Sequence, residues 1–310
     1  MAESGPALLR LSDLIRRIAA AGRAPVLIEA EWGSGSGAIA RAIHDQSPRS
    51  SAPFIAATCA ALADHLEDEL FGSDRGGGRG SDSGSEKRTA LIDAAAGGTL
   101  FLDEVAEVPA VVQAKLARVL DHAVFRRCGG STDLVSDARL VVATSHDLAA
   151  AVEAGRFRAD LYHLLRSAVV TVPPLRSRPE DVLPFAEAEL ARCAKRIGKD
   201  APKLSSRAKD ALLAHRWPGN ERELALAMER AAILTEVDIT PEDLSLAEPR
   251  ADGEPGALVI PPGERNLAVI ETMVLRAVLR ETGGQKTRAS ELLGINRTTL
   301  YNKLRAMGLR

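Results

Sequence analysis

The stretch that most narrows the fold runs from Ala24 to Asp45. Ala24-Pro-Val-Leu-Ile-Glu reads as a buried strand, Glu31-Trp-Gly-Ser-Gly-Ser-Gly37 as a glycine-rich turn, and Ala38 to Asp45 as a helix. Strand, glycine-rich turn, helix is the layout of a phosphate-binding loop, because backbone N–H groups at a helix N-terminus converge on an anion. Four more apolar runs fit strands: Pro53 to Ala57, Gly98 to Glu104, Ala138 to Thr144, and Ala168 to Val172, which Pro173-Pro174 closes. Short apolar strands alternating with helical segments predict a parallel α/β sheet with helices on both faces. An amphipathic helix from Ser12 to Ala21 precedes them.

From Pro179 the pattern becomes all-helical. Pro179 suits the first turn of a helix running to Ile197. Ser205 or Ser206 can cap the next helix, and Asn220 with Glu223 predicts a capping-box start for residues 221–235, after Trp217-Pro-Gly219. Thr240-Pro-Glu-Asp243 opens a shorter helix. Residues 247–264 are rich in Pro, Gly and acids and read as a linker. A helix from Leu267 to Glu281 carries a broad apolar face (Ile270, Met273, Val274, Ala277, Val278), more than a small module covers alone, which predicts a paired, dimeric module.

The end of the chain, Gln285 to Arg310, carries the most complete set of features. Gly294, between Leu293 and Ile295, suits a tight turn between helices, and Asn296 suits the cap of a second helix. There Leu300, Leu304 and Met307 recur at helical spacing and face inward, leaving Thr298, Asn302 and Arg305 outward, with Thr299 and Tyr301 to either side. Side chains of these types reach base edges in a major groove, whereas Arg288, Arg297 and Lys303 suit phosphates. From Gln285 onward six Lys/Arg face one acid, a net of +5 in a chain of net −2. The attraction for a polyanion is therefore concentrated here.

Hydrophobic residues make up 45% of the 310, ample for globular cores. The cysteines (Cys59, Cys128, Cys193) are far apart and odd in number, which predicts neither a disulfide framework nor a metal site, and a reducing cytoplasm. No apolar run is long enough to span a membrane.

The last 45 residues or so resemble the Fis-type helix-turn-helix of bacterial transcription regulators. Residues from about 5 to 245 resemble the AAA+ domain of sigma-54-dependent transcription activators, the bacterial enhancer-binding proteins. The resemblance rests on Ala40-Arg-Ala-Ile-His44, Cys59-Ala-Ala-Leu62, Glu69-Leu-Phe-Gly72, Gly97-Gly-Thr-Leu-Phe-Leu-Asp-Glu104, Gln113 to Leu120, Phe157-Arg-Ala-Asp-Leu-Tyr162, Pro173-Pro-Leu-Arg176 and Trp217-Pro-Gly-Asn-Glu-Arg-Glu-Leu224. It implies an α/β P-loop AAA+ subdomain over 1–175, a helical lid over 176–246, the linker over 247–264, and an all-α helix-turn-helix domain over 265–310. It further implies ATP or ADP with Mg²⁺ at Gly33, Ser34, Gly35, Ser36, Gly37 and Arg222. Asp103 would hold the metal, Glu104 would orient water, and Arg158 would reach a neighbouring subunit's site.

The chain departs from the family pattern where the chemistry is most demanding. In the family's loop, G-E-x-G-T-G-K-E, the first Gly is Ala30 here, and the phosphate-gripping Lys is Ser36. The Asn before Cys-Ala-Ala-Leu is Thr58, the Asn of Ala-Thr-Asn is Ser145, and the second arginine finger is Leu164, with Arg166 two residues beyond. After Glu69-Leu-Phe-Gly72, where the family places Gly-Ala-Phe-Thr-Gly-Ala to grip the sigma factor, the chain reads Ser73-Asp-Arg-Gly-Gly-Gly-Arg-Gly-Ser-Asp-Ser-Gly-Ser-Glu-Lys87. That tract has nothing apolar to insert. Bulky Trp32 beside the loop would obstruct it further.

The expectation is a DNA-binding transcription regulator, at least a homodimer and nucleoid-associated, whose AAA+ body is impaired in ATP hydrolysis and sigma-54 remodelling and binds nucleotide weakly. The alternatives are a working ATP-dependent activator of sigma-54 RNA polymerase, and a non-catalytic subunit of a mixed ring with an AAA+ paralogue. The chain begins almost at the AAA+ domain, so its input is expected from abundance, a partner or an effector.

Overall fold

The computed structural model describes residues 6–62, 65–74, 90–235 and 238–246, and towards the C-terminus residues 271, 274, 275, 278, 282 and 286–306. The chain forms two compact units, Met1–Leu246 and Ala247–Arg310.

In the first unit a five-stranded parallel sheet has the order β2-β3-β6-β1-β7, from β1 (Val26–Ala30), β2 (Phe54–Thr58), β3 (Thr99–Asp103), β6 (Arg139–Thr144) and β7 (Val169–Val172). These are the five apolar runs of the sequence. Alternate residues face opposite sides. Val26, Ile28, Phe101, Val141 and Val170 join one core with Ile15 and Ile18 of α1 (Pro6–Ala19) and Ala40 and Ile43 of α2 (Ser36–Asp45). Leu27, Leu100, Leu102, Leu140 and Val142 join the other with α3 (Leu66–Phe71), α5 (Ala110–His122) and α7 (Ala159–Leu165); the short α4 (Leu91–Ala94) and α6 (Leu148–Glu153) also line it. β4 (Val124–Phe125) and β5 (Leu134–Val135) form a small antiparallel pair that the periodicity gives no hint of.

α1 begins at Pro6, a turn and a half before the expected Ser12. Its C-terminal end is fixed by Arg139, a fully buried residue of β6. The guanidinium donates to the carbonyls of Ile18 (2.7 Å), Ala19 (3.2 Å) and Ala24 (3.1 Å). These carbonyls lie at the helix end and just beyond it, Ile18 O also accepting from the Ala21 N–H at 3.0 Å, and a cation suits the negative end of the helix dipole.

The lid packs α8 (Val182–Ile197), α9 (Ser206–Ala214), α10 (Asn220–Leu234) and α11 (Pro241–Leu244) around buried Trp217 and Met228, with β8 (Lys203–Leu204) beside β9 (Asp238–Ile239). Ser205 caps α9 and Thr240 opens α11 in a capping box with Asp243. Pro179 lies in a 3₁₀ turn (Pro179–Asp181) that leads into α8. The expected capping role of Asn220 is not what forms. Asn220 is fully buried at φ 48°, the cap is Gly219, and Glu223 Oε2 accepts from the Gly219 N–H at 2.7 Å. The Asn220 side chain is used elsewhere.

In the second unit α12 (Lys286–Leu292) and α13 (Arg297–Ala306) flank a turn at Gly294, whose φ of +63° favours glycine. Leu275, Ala289, Leu300 and Leu304 form its core, with Val278, Leu293 and Ile295 against it. The linker 247–264, most of the helix expected over 267–281, and Met307 lie outside the described residues, as does most of the Ser73–Lys87 tract. No described helix is long and apolar enough to cross a membrane.

Candidate functional site

The strand ends of β1, β3 and β6 open into a cleft of about 770 Å³ between the sheet and the lid. Its lining combines apolar side chains (Leu11, Ile39, Val172, Phe185 and Ala225) with the glycine-rich loop, Gly33 to Gly37, and Asp103, Glu104 and Arg222. The residues expected to meet a nucleotide therefore converge, whereas Arg158 is not among those lining the cleft.

The loop is fastened to the lid. The Asn220 amide donates to Trp32 O (3.1 Å) while its Oδ1 accepts from Leu175 N–H (2.8 Å). Arg222 N–H donates to Gly33 O at 3.1 Å. Arg176 grips Glu31 through two 2.6 Å bonds and thereby holds that carboxyl below its ordinary range. Gly33 sits at φ +82°, and a Cβ there would lie 2.2 Å from Gly219 O. Rather than only obstructing the loop, Trp32 carries the Arg222 guanidinium over its ring at 5.2 Å.

At the phosphate end, Ser36 heads α2 and its hydroxyl donates to Asp103 Oδ1 at 3.2 Å. Ser34 is 3% exposed, and its Oγ has no hydrogen-bond partner. Glu104, at φ 57°, accepts from Ser145 N–H (3.0 Å) and lies 3.5 Å from His146, which also faces Glu107 at 3.6 Å. Thr58 pairs with Asp103 across β2 and β3. Burial raises the Asp103 carboxyl above its ordinary value; the Ser36 hydroxyl offsets part of this and Glu104 adds to it. The buried Cys59 thiol is pushed up to about 12, by burial first and then by the negative charge of Asp103 and Glu104.

An acid whose folded value is raised holds its proton more tightly when folded, so stability falls as pH rises above the ordinary carboxylate range through the folded value. Asp103→Asn keeps an acceptor for Ser36 and removes the charge. It is expected to raise the thermal midpoint at pH 7, with the gain vanishing at acid pH. Melting curves at both pH values check this, and a lower midpoint for the variant at pH 7 would overturn it.

In the C-terminal unit, Asn296 Oδ1 accepts from Thr298 N–H at 3.1 Å, as an N-cap side chain does. Arg288, Thr298 and Thr299 are exposed. Lys303, expected at a phosphate, is half-buried and paired with Glu271 at 2.5 Å. Arg297, Tyr301, Asn302 and Arg305 lie on the backbone of α13, and their side chains lie outside the described residues.

The profile described as "Sigma-54 interaction domain" matches residues 1–171, more than half of the chain. "AAA+ ATPase lid domain" matches 176–253, and "Bacterial regulatory protein, Fis family" matches 266–307. Transcriptional regulatory protein ZraR of Klebsiella oxytoca is 41% identical over 309 residues, covering 98% of this chain and 68% of that protein. The chain belongs to the sigma-54-dependent transcription regulators. Response regulator protein PilR of Pseudomonas aeruginosa is 40% identical, with the same coverage. NtrX from Brucella abortus, crystallised in complex with ADP, superposes with a TM-score of 0.73 at 30% identity, covering all of this chain and 70% of that one. NtrX in complex with ATP gives 0.73 at 31%.

Within this family of regulators the helix-turn-helix is the DNA-binding element and the α/β body is the AAA+ domain. The sequence could not show how Arg158 is held. Its N–H donates to Gln113 Oε1 (2.8 Å), and its guanidinium forks onto Asp160 at 3.0 and 2.7 Å. Leu164 is packed against the core, and Arg166 lies over the Tyr162 ring. The expected cleft residues were found by motif. Neither the Arg176 clamp on Glu31 nor the Asn220 bond to Trp32 was expected, because the partners stand 145 and 188 positions away in the sequence.

Proposed function

We propose that this regulator acts by binding specific double-stranded DNA through α12 and α13, as a homo-oligomer, with an AAA+ body impaired in ATP hydrolysis and in remodelling sigma-54 polymerase. The observation that carries the reading is Ser36. Where a family member presents a Lys to the phosphates, this chain presents a hydroxyl already given to Asp103 at 3.2 Å. The loop N–H groups and the start of α2 still suit an anion, and the apolar side chains lining the cleft suit a base, so the residues fit a nucleotide. Such a ligand would be held by Gly33 to Gly37 and Arg222, and any Mg²⁺ by Asp103. Bound ATP supplies a transferable phosphoryl group. The chain lacks the point charge that would stabilise its transfer, and losing one partner of a buried charge pair costs roughly 2–5 kcal/mol. Thr58, Ser145 and Leu164, at positions where the family has polar or cationic groups, support the same reading.

A mixed ring with a competent AAA+ paralogue is favoured by one observation, the half-exposed Arg158 held ready by Asp160. Purified protein with ATP and Mg²⁺ is expected to release phosphate well below about 1 s⁻¹, the lower end of ordinary turnover. It is expected still to protect discrete DNA sites in a footprint. Brisk turnover by the unaided chain would overturn the impaired-motor reading; absence of any protected site would overturn the DNA-binding one.

A further inference from the structure

We infer that the cleft is a nucleoside diphosphate site: it takes the diphosphate in preference to the triphosphate and needs no divalent cation to do so. The inference rests on the reading that the cleft accepts a nucleotide, and it concerns which one.

The first argument is charge. Five acids line the cleft (Glu31, Asp103, Glu104, Glu189, Glu221). Three are paired: Glu31 with Arg176, Glu189 with Arg192, and Glu221 with Arg178, which also meets Asp181. Among the described residues no Lys or Arg is paired with Asp103 or Glu104, and of the lining cations only Arg222, which lies over Trp32, has no carboxylate partner. Each phosphoryl group added to a ligand brings further negative charge towards Asp103 and Glu104, and in a partly desolvated cleft that repulsion is poorly screened.

The second argument is what the site offers without a cation. The loop presents N–H groups at the start of α2, a ten-residue helix whose first turn has no side-chain cap. Beside it Ser34 lines the cleft, and its buried Oγ has no hydrogen-bond partner, so a hydroxyl donor at the loop is left uncommitted. These neutral donors, with Arg222, suit a short phosphate chain.

The third argument concerns the metal. Asp103 already accepts from Ser36, and position 37 is a glycine with no hydroxyl to add. Mg²⁺ demands near-ideal octahedral geometry and is usually held by one or two carboxylates plus substrate phosphates. With Oδ1 accepting from Ser36, Asp103 offers a cation one uncommitted carboxylate oxygen, Oδ2, and the loop adds no hydroxyl beside it.

Isothermal titration calorimetry of the full chain with ADP and with ATP, each in EDTA and in Mg²⁺, tests the inference. ADP is expected to bind about tenfold or more tighter than ATP in both buffers, with ADP affinity changing less than about threefold on chelation. Ser36→Lys is expected to improve ATP binding more than ADP binding, closing the gap. ATP binding as tightly as ADP in either buffer, or ADP binding that is lost in EDTA, would overturn the diphosphate assignment and leave the nucleotide reading standing. No heat from either ligand in any buffer would overturn both. Because the wild-type comparison decides the question, it does not depend on Ser36→Lys folding.

Discussion

Replacing Gly33 with alanine is expected to cost about 2–4 kcal/mol and to part the glycine-rich loop from the lid. Two effects add. The residue sits at φ +82°, where an L side chain is strained by roughly 1–2 kcal/mol. A Cβ would also stand 2.2 Å from Gly219 O and 3.2 Å from Arg222 Cβ, and Gly219 O is backbone that cannot rotate aside. The loop and the Trp217–Asn220 turn must separate, which weakens the Arg222 N–H bond to Gly33 O and the Asn220 bond to Trp32 O. Urea denaturation should show the loss, and hydrogen exchange should show the Arg222 amide losing protection before the strands do. An unchanged midpoint with an unchanged Arg222 amide would mean that the lid is not anchored at this point.

Arg139→Ala is expected to be the more damaging substitution, at about 4 kcal/mol or above. The carbonyls of Ala19 and Ala24 would lose the donor the guanidinium supplies, each costing roughly 1–3 kcal/mol if water cannot reach it, while Ile18 O keeps the Ala21 N–H. The emptied volume adds a cavity term. Arg139→Lys should recover only part, because an ammonium on a flexible stem cannot fork across Ile18, Ala19 and Ala24 as a planar guanidinium does. Denaturation followed by circular dichroism ranks the three proteins. A loss below about 1 kcal/mol for the alanine variant would show that water or a backbone shift replaces the side chain.

Gly33 was legible in the sequence as part of the glycine-rich loop, and Arg139 was not. The strands were legible because period and burial coincide: Leu100 and Leu102 face one core and Phe101 the other, as an apolar run between helices predicts. The turn at Gly294 and the cap at Asn296 were legible because each needs only neighbours in the chain. The run Ala138 to Thr144 gives Arg139 no local partner, and only the tertiary arrangement brings the end of α1 to it. Asn220 was misread for a related reason. A local rule predicted a cap, while a contact with Trp32, 188 positions earlier, decides its orientation. Trp32 itself reads as an obstruction in one dimension and becomes a platform for Arg222 in three.

The strand order has a consequence for how the protein comes into being. β1 emerges early, yet its neighbours are β6 and β7, and Glu29 meets Thr171 only after an interval of 142 positions. Closing so long a loop precedes any reward from the contacts it allows. During synthesis the glycine-rich segment therefore leaves the ribosome long before the strands that flank it exist. The cleft can assemble only once the lid residues as far as Ala225 have been made, and until β6 follows, β1 is an apolar strand without its sheet neighbours, the kind of nascent segment that chaperones shield.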